Sequence, residues 1–328
     1  MVQMTYRAAV AQAISEEMER DPTVILLGED VGRFGGAMAA TKGLYDRFGP
    51  ARVIDTPISE AAIIGTALGA SITGLRPIAE IMFVDFTTCC MDQIANQVAK
   101  SRYMSGGQVA APLVIRTQGG AGKSYGAQHS QNLEVWFAAI PGLHVVMPAT
   151  PADAKGLLKS AIRSDDPVMV IENKLLYGET GEVPPSADYL VPIGKAEVVR
   201  PGRSATVVSY SRQLFEALRA ADACAESGIQ CEVIDLKSIS PLDIETVLLS
   251  VRKTGRVVVV EEGHRSFGVG AELSAEITER AFDVLHAPVV RVASLDNPIP
   301  FSPVLEKATI PNADKIASAV RGSFASAS

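Results

Sequence analysis

The segment from Val53 to Ala70 constrains this chain more than any other stretch. It reads VIDTPISE up to Glu60 and then continues as a run of small and apolar residues. Ser59 before an acidic residue is a helix-start signal, and Glu60 complements the positive end of the helix dipole. The Ala, Gly and Ile residues that follow predict an interior helix that packs closely on its neighbours. Glu60 is therefore either a helix-terminus charge or a carboxyl group kept for chemistry.

Composition and charge argue against several classes of protein. Of 328 residues, 47% are hydrophobic and 20% are charged, so the chain can bury a large interior, and its length predicts two domains. The net charge of −7, with no run of Lys or Arg, predicts no nucleic-acid partner and no acidic membrane partner. The four cysteines form no CxxC pair and have no histidine at metal spacing, which predicts reduced thiols.

The N-terminal segment predicts no targeting sequence. Met1 to Arg20 is acidic and amphipathic, unlike a transit peptide or the apolar core of a signal peptide. No apolar run reaches the roughly 18 residues that a membrane span needs. We therefore expect a cytoplasmic protein.

Apolar β-branched runs alternate with helical stretches along the chain. This alternation predicts an α/β protein with two doubly wound domains. Between Gly178 and Gly194 it gives way to Gly, Pro, Ser and Glu. We place the domains at 1–180 and 196–328, with a linker at 181–195. The predicted helices include Glu60–Thr73 and Thr88–Arg102.

The glycine-rich segment Gly119–Ser124 offers a rival interpretation. It follows a predicted strand and ends in Gly-Lys-Ser, like the phosphate-binding end of a P-loop. The full pattern requires a glycine where Thr117 stands, and it requires a helix from Lys123 that Gly126 interrupts. A P-loop ATP-binding protein is therefore a weaker alternative.

Five short motifs together resemble a known enzyme family. They are DTPISE at Asp55–Glu60, MSGG at Met104–Gly107, QHSQ at Gln128–Gln131, DAKGL at Asp153–Leu157 and EEG at Glu261–Gly263. In this order they resemble the beta subunit of the thiamine-diphosphate-dependent decarboxylating component of 2-oxo acid dehydrogenase complexes. The resemblance runs through nearly the whole chain. It implies a transketolase-like pyrimidine-binding domain followed by a transketolase C-terminal domain.

The resemblance implies a cofactor-binding set. Glu60 matches the glutamate that bonds to the aminopyrimidine ring of thiamine diphosphate and drives its shift to the imino tautomer. Phe86 resembles the aromatic residue that stacks on this ring. Glu29 and Met82 complete the set that the resemblance assigns to cofactor binding.

The resemblance also implies residues that serve catalysis and a metal ion. Beside Glu60, Glu29 and Asp92 match acids that help to relay protons between paired active sites. His129 resembles the loop histidine that serves the transfer of the acyl group to the lipoyl group. In some members a structural potassium ion is held by oxygens at the positions of Leu113, Ala161, Ile162, Ser164 and Asp166.

The chain lacks the Gly-Asp-Gly motif with which thiamine enzymes hold Mg²⁺ and the diphosphate. The resemblance therefore implies an alpha subunit that supplies these ligands, in an α2β2 heterotetramer with thiamine diphosphate at each α/β interface. A lipoylated acyltransferase core would accept the acyl group. A non-catalytic subunit that only docks a partner onto this core is a further alternative.

Two segments bear on the substrate. Glu80–Phe86 and Asn173–Tyr177 look closer to pyruvate and acetoin members of the family than to branched-chain members. Branched-chain members tend to carry Gln and Tyr at the positions of Met82 and Phe86. The implied function is that of a pyruvate or acetoin dehydrogenase beta subunit, and a branched-chain 2-oxo acid dehydrogenase beta subunit is the alternative.

Overall fold

The computed structural model describes residues 1–325, and these divide into two packed units. The first unit comprises Met1–Gly120 and Trp136–Ile193, and the second comprises Ala121–Val135 and the described chain from Gly194 onward. The second unit thus takes in a short segment from the middle of the first predicted domain.

The predicted linker, 181–195, begins inside the strand Thr180–Val183. Residues up to Ile193 pack with the first unit. The last three residues of the predicted domain 196–328 lie outside the described residues.

The first unit is built on a parallel sheet. Its neighbouring strands are, in spatial order, His144–Val146, Val168–Asn173, Val114–Gly119, Arg76–Ile81, Val24–Gly28 and Val53–Asp55. An antiparallel ribbon pairs Val2–Thr5 with Thr180–Val183. Parallel strands need crossover connections, and the helices that make them also cover the sheet. This arrangement explains why the strands read as nearly continuous apolar runs.

Helices connect these strands. The α-helices are Tyr6–Arg20, Leu44–Phe48, Glu60–Ile72, Ser101–Met104, Glu134–Ala138 and Pro151–Arg163. Short 3₁₀ and π segments cover Val84–Cys90, Gln93–Val98 and Leu176–Gly178.

The prediction of one continuous helix at Thr88–Arg102 is wrong, because this stretch divides into 3₁₀, π and α segments. The hydroxyl of Thr87 donates to the carbonyl of Val84 at 2.5 Å, and that of Thr88 donates to Asp85 at 2.9 Å. Such bonds from side chain to backbone compete with the regular helical ladder.

The DAKGL motif serves packing in the first unit. Asp153 and Thr150 form a capping box at the start of Pro151–Arg163. The buried amine of Lys155 donates to Glu16 on the helix Tyr6–Arg20 at 2.9 Å. A Cβ atom added to Gly156 would lie 2.4 Å from a methyl carbon of Val191, so only glycine permits this close approach.

The second unit has its own mostly parallel sheet. The strand order is Val290–Ser294, Val257–His264, Ala205–Ser209, Cys231–Asp235 and Glu197–Arg200, with only the last pairing antiparallel. Its longer helices are Gln213–Ala225, Ile244–Thr254, Val269–Ala281, Pro303–Thr309 and Ala313–Ala325. The second unit also contains a short strand, Ser238–Ser240, outside this sheet, and a 3₁₀ turn, Phe282–Val284. Both units are α/β, as predicted.

We find no helix among residues 1–325 with the length and apolar character needed to cross a membrane.

Candidate active site

Four of the predicted residues lie just beyond the carboxyl ends of three neighbouring parallel strands in the first unit. They are Glu29 after Val24–Gly28, Glu60 after Val53–Asp55, and Met82 and Phe86 after Arg76–Ile81. The carboxyl ends of parallel strands share one edge of the sheet, which is the edge where α/β proteins bind ligands. The topology therefore brings these residues to one place.

Glu60 is the first residue of the helix Glu60–Ile72 and is half-buried. Ser59 before it has extended backbone, and its side chain makes no capping hydrogen bond. The first intrahelical hydrogen bond is present, since the amide of Ile63 donates to the carbonyl of Ser59 at 2.9 Å. The side-chain cap that the sequence indicates at Ser59 is thus not formed, and this removes one part of the purely structural interpretation of the motif.

The charge of Glu60 acts on two neighbours. Partial burial raises the pKa of Glu29, and the nearby carboxylates of Asp30 and Glu60 raise it further. Burial, with a further contribution from Glu60, raises the pKa of the Cys90 thiol to about 12. Glu29 and Glu60 are therefore two acids in one electrostatic environment, which favours a role in proton transfer.

Asp55 fixes the loop that follows Glu29. The amide of Gly32 donates to Oδ1 of Asp55 at 2.6 Å, and the amide of Thr56 donates to the carbonyl of Gly28 at 3.0 Å. A Cβ atom on Gly28 would lie 2.8 Å from the carbonyl oxygen of Glu80, so the strands approach too closely for a larger residue. The first residue of the DTPISE motif thus holds the backbone beside Glu29.

Phe86 and Met82 supply apolar surface near the same edge. The ring of Phe86 is half-buried and meets Phe83 edge to face, with ring centroids 5.6 Å apart. Met82 is also half-buried, and its carbonyl accepts a hydrogen bond from Gln118 at 2.6 Å. The ring of Phe86 and the backbone of Met82 therefore contact neighbouring residues, while part of each side chain stays open.

Asp92 and His129 occupy different surroundings. Asp92 is exposed, and its Oδ1 accepts a hydrogen bond from Asn96 at 2.7 Å. His129 is half-buried and belongs to the segment Ala121–Val135 of the second unit. Glu29 and Glu60 therefore interact electrostatically, whereas Asp92 lies at the surface.

The five residues predicted to hold potassium surround the C-terminal end of the helix Pro151–Arg163. Arg76 donates from Nε to the carbonyl of Ile162 at 3.0 Å and from Nη2 to that of Ser164 at 2.8 Å. The others also have protein partners: Ala161 accepts from the Ser164 amide at 3.2 Å, Leu113 accepts from the Val168 amide at 3.1 Å, and Asp166 pairs with Arg102. A potassium ion would have to share the carbonyl oxygens of Ile162 and Ser164 with the guanidinium group of Arg76, so the potassium site stays a prediction.

A side chain of the protein itself, Glu306, binds the backbone amides of the P-loop-like segment Gly119–Ser124. The amides of Gly122 and Ser124 donate to the carboxylate of Glu306 at 2.7 and 3.0 Å, so these donors are not directed at an open phosphate site. Lys123 between them is exposed.

Replacing Lys123 with alanine is expected to leave no nucleotide-binding defect to measure, because the intact chain should not bind ATP. Calorimetric titration of ATP into the wild-type chain and the variant checks this. Saturable binding to the wild type that the variant loses would restore the P-loop interpretation.

A buried ion network beside the strand edge was not anticipated. Arg116 donates from Nε and Nη2 to the two carboxylate oxygens of Glu172, each at 2.7 Å, and from Nη1 to Glu80. Nη2 also lies 3.0 Å from the hydroxyl of Tyr177, which donates to Glu172. Burial alone would lower the pKa of Arg116, but the two glutamates and Tyr177 raise it well above its ordinary value. This network joins three central strands of the first unit.

Family models match both parts of the chain. The model described as the transketolase pyrimidine-binding domain matches residues 2–180, and the transketolase C-terminal domain model matches residues 194–316. A solved structure described as a split-gene transketolase, an inactive beta4 tetramer, superposes with a TM-score of 0.82 at 24% identity. It covers 98% of this chain and 99% of its own, and it supports the fold.

Curated relatives match over nearly the full chain. The pyruvate dehydrogenase E1 component subunit beta of Rhizobium meliloti is 47% identical over 98% of this chain and 70% of its own length. The acetoin:2,6-dichlorophenolindophenol oxidoreductase subunit beta of Cupriavidus necator is 48% identical over 97% of this chain and 96% of its own. The chain therefore belongs to the transketolase-like family of pyruvate and acetoin dehydrogenase beta subunits.

Proposed function

We propose that this chain is the catalytic beta subunit of a thiamine-diphosphate-dependent 2-oxo acid dehydrogenase of the pyruvate or acetoin type. The observation that carries the proposal is the half-buried Glu60 beside Glu29 at the carboxyl edge of a parallel sheet. Relatives that are 47–48% identical carry pyruvate dehydrogenase and acetoin oxidoreductase names, which supports this substrate class.

The residues at this edge suit the aminopyrimidine end of thiamine diphosphate. Glu60 offers a carboxyl group for a ring nitrogen, and Phe86 and Met82 offer partly open apolar surface for the ring face. When bound, thiamine diphosphate would supply the nucleophilic carbon that 2-oxo acid chemistry needs. The role of Glu60 is to hold a proton at pyrimidine N1′, and Glu29 is placed to exchange protons nearby.

The diphosphate and Mg²⁺ would be held by an alpha subunit. The sequence lacks Gly-Asp-Gly, and among residues 1–325 no group of three His, Cys, Asp or Glu side chains could bind a metal ion. We propose an α2β2 heterotetramer that passes the acyl group to a lipoylated acyltransferase, with His129 serving this transfer. A cytoplasmic location stays a prediction, since some relatives are named as mitochondrial.

The exposed face of the helix Glu60–Ile72 is evidence for an interface with a partner subunit. The sequence predicts that this helix is interior, yet within this chain Ala62, Gly65, Thr66 and Gly69 are exposed. A Cβ atom added to Gly69 would meet no atom within 4 Å. Small side chains on an uncovered apolar helix permit another chain to approach closely, so we assign this face to the interface with the partner.

The isolated chain is expected to bind thiamine diphosphate weakly and to show no decarboxylase activity, because half of the site is missing. Adding the alpha subunit should restore both. Calorimetry measures cofactor binding, and activity is assayed with pyruvate, acetoin and a branched-chain 2-oxo acid in parallel. Micromolar cofactor binding by the chain alone would contradict the shared site, and the highest activity with the branched-chain acid would overturn the assigned substrate type.

A further inference from the structure

The carboxylate of Glu306 holds the loop that precedes His129. Glu306 lies on the helix Pro303–Thr309 and is only 3% exposed. Its two oxygens accept from the amides of Gly122 and Ser124 at 2.7 and 3.0 Å, and Oε2 also accepts from the Ser124 hydroxyl at 3.3 Å. Neighbouring backbone amides that point into one concavity form an anion site, and here a buried side chain of the same unit fills it.

The conformation of this loop is one that the chain would not hold by itself. Gly122 and Gly126 have φ values of 100° and 77°, and Ser124, which has a side chain, has a φ of 55°. Left-handed backbone is unfavourable for serine, and glycine loses the most conformational freedom when it is ordered. Hydrogen bonds to an ionised carboxylate are roughly twice as strong as neutral ones, so Glu306 can offset this cost.

Two further hydrogen bonds hold the segment that contains this loop and His129, one at Ala121 and one at Asn132. The amide of Ala121 donates to Oε1 of Glu262 at 2.6 Å, and the side chain of Asn132 donates to the carbonyl of Glu262 at 3.4 Å. Ser130 is fully buried. His129 is half-buried between these anchors, and its amide donates to the carbonyl of Gly126 at 3.4 Å.

The position of His129 therefore depends on what holds residues 122–126. We propose that Glu306 is a positioning residue for His129, and this inference rests on the proposed function of His129 in acyl transfer to the lipoyl group. Glu306 is not one of the residues proposed to bind the cofactor. Its loss should impair acyl transfer and spare decarboxylation.

The first test compares two half-reactions in the assembly with the alpha subunit. Glu306→Gln keeps the volume but replaces one acceptor oxygen with an NH2 group, which cannot accept a hydrogen bond from the loop amides. We expect the rate of acylation of a lipoylated domain to fall at least about 10-fold, since small misplacements of a catalytic group can cost up to about 10²-fold. Substrate-driven reduction of dichlorophenolindophenol should change less than about 2-fold, because acyl transfer by His129 is not needed for it.

Lys307→Gln is the matched control, because Lys307 is exposed on the same helix. It should leave both rates unchanged. Equal losses of both half-reactions in Glu306→Gln, or no loss of lipoyl acylation, would overturn the proposal.

Chemical rescue separates anion binding from packing. Glu306→Ala should leave the amides of Gly122 and Ser124 without their carboxylate, and added formate should restore lipoyl acylation in a saturable manner. Chloride at the same ionic strength should not. Failure of formate in a variant that stays folded would show that Glu306 acts through packing alone.

A readout that needs no activity keeps this inference distinct from the proposed function. Amide hydrogen exchange in the peptide Ala121–Gln131 should rise in Glu306→Gln and stay at the wild-type level in Lys307→Gln. If the wild-type assembly lacks thiamine-dependent decarboxylation, the proposed function fails, while exchange still reports on the loop. If decarboxylation is present and exchange in Glu306→Gln is unchanged, the positioning role fails alone.

Discussion

Replacing Glu60 with glutamine is expected to slow hydrogen–deuterium exchange at C2 of bound thiamine diphosphate by about 10²- to 10⁴-fold. Glutamine keeps the volume and the helix start, but it cannot hold an exchangeable carboxyl proton at the ring nitrogen. A charge at a helix terminus is worth only roughly 0.3–1 kcal/mol of stability, so a structural role predicts a small effect. The measurement is C2 exchange in the assembly with the alpha subunit, together with the melting temperature of the same sample.

Glu245→Gln is the matched control for Glu60→Gln. Glu245 also lies in the first turn of a helix, Ile244–Thr254, and its side chain is largely exposed. This variant should leave C2 exchange normal. In Glu60→Gln the pKa of Glu29 should also fall, because a neighbouring negative charge that raises it is removed, and carboxyl NMR titration can follow this change. Normal C2 exchange with only a lowered melting temperature would show that Glu60 is a structural cap.

Local sequence patterns were sufficient to predict the bounds of the helix that begins at Glu60. Its predicted range, Glu60–Thr73, differs by one residue from the observed Glu60–Ile72, because the apolar run and the acidic start are both local signals. Gly74, at a φ of 101°, follows the C-cap residue Thr73 and ends the helix in left-handed backbone. The expectation of an interior helix is right for only one face, since residues 1–325 leave the opposite face, with Ala62, Gly65 and Gly69, exposed. A pattern of small residues indicates close packing but does not identify which chain packs there.

The motif DTPISE begins at the end of the strand Val53–Asp55, and residues that follow parallel strands meet at one sheet edge whatever their distance in the sequence. Contacts between residues that are far apart in the sequence could not be predicted from such local motifs. Glu306 is 184 residues from Gly122, and nothing near either residue indicates the other. Buried charges were missed for a related reason, since hydrophobic periodicity treats arginine or glutamate as exposed. The available signal was that Glu80 and Glu172 each interrupt a buried apolar strand.

Replacing Arg116 with methionine is expected to lower the free energy of unfolding by about 3–5 kcal/mol, because the change leaves the carboxylates of Glu80 and Glu172 buried without their shared cation. The measurement is denaturant unfolding followed by the fluorescence of Trp136, the single tryptophan, which belongs to the first unit. The matched control is Arg102→Met. Arg102 pairs with Asp166 at the surface, where an ion pair contributes about 0–1 kcal/mol.

The pH dependence distinguishes a lost cation from a simple cavity. Burial already raises the pKa of Glu80, while Arg116 opposes that shift, so the variant should raise the pKa of Glu80 further. A carboxyl group whose pKa is higher in the folded state than in the unfolded state favours folding at low pH, and this contribution is lost as the pH rises through the folded pKa. The stability difference between Arg116→Met and the wild type should therefore be smaller at pH 5 than at pH 8. A loss of the same size at both pH values would mean that the side chain of Arg116 matters for its volume, and a loss within 1 kcal/mol would mean that the buried carboxylates have another source of compensation.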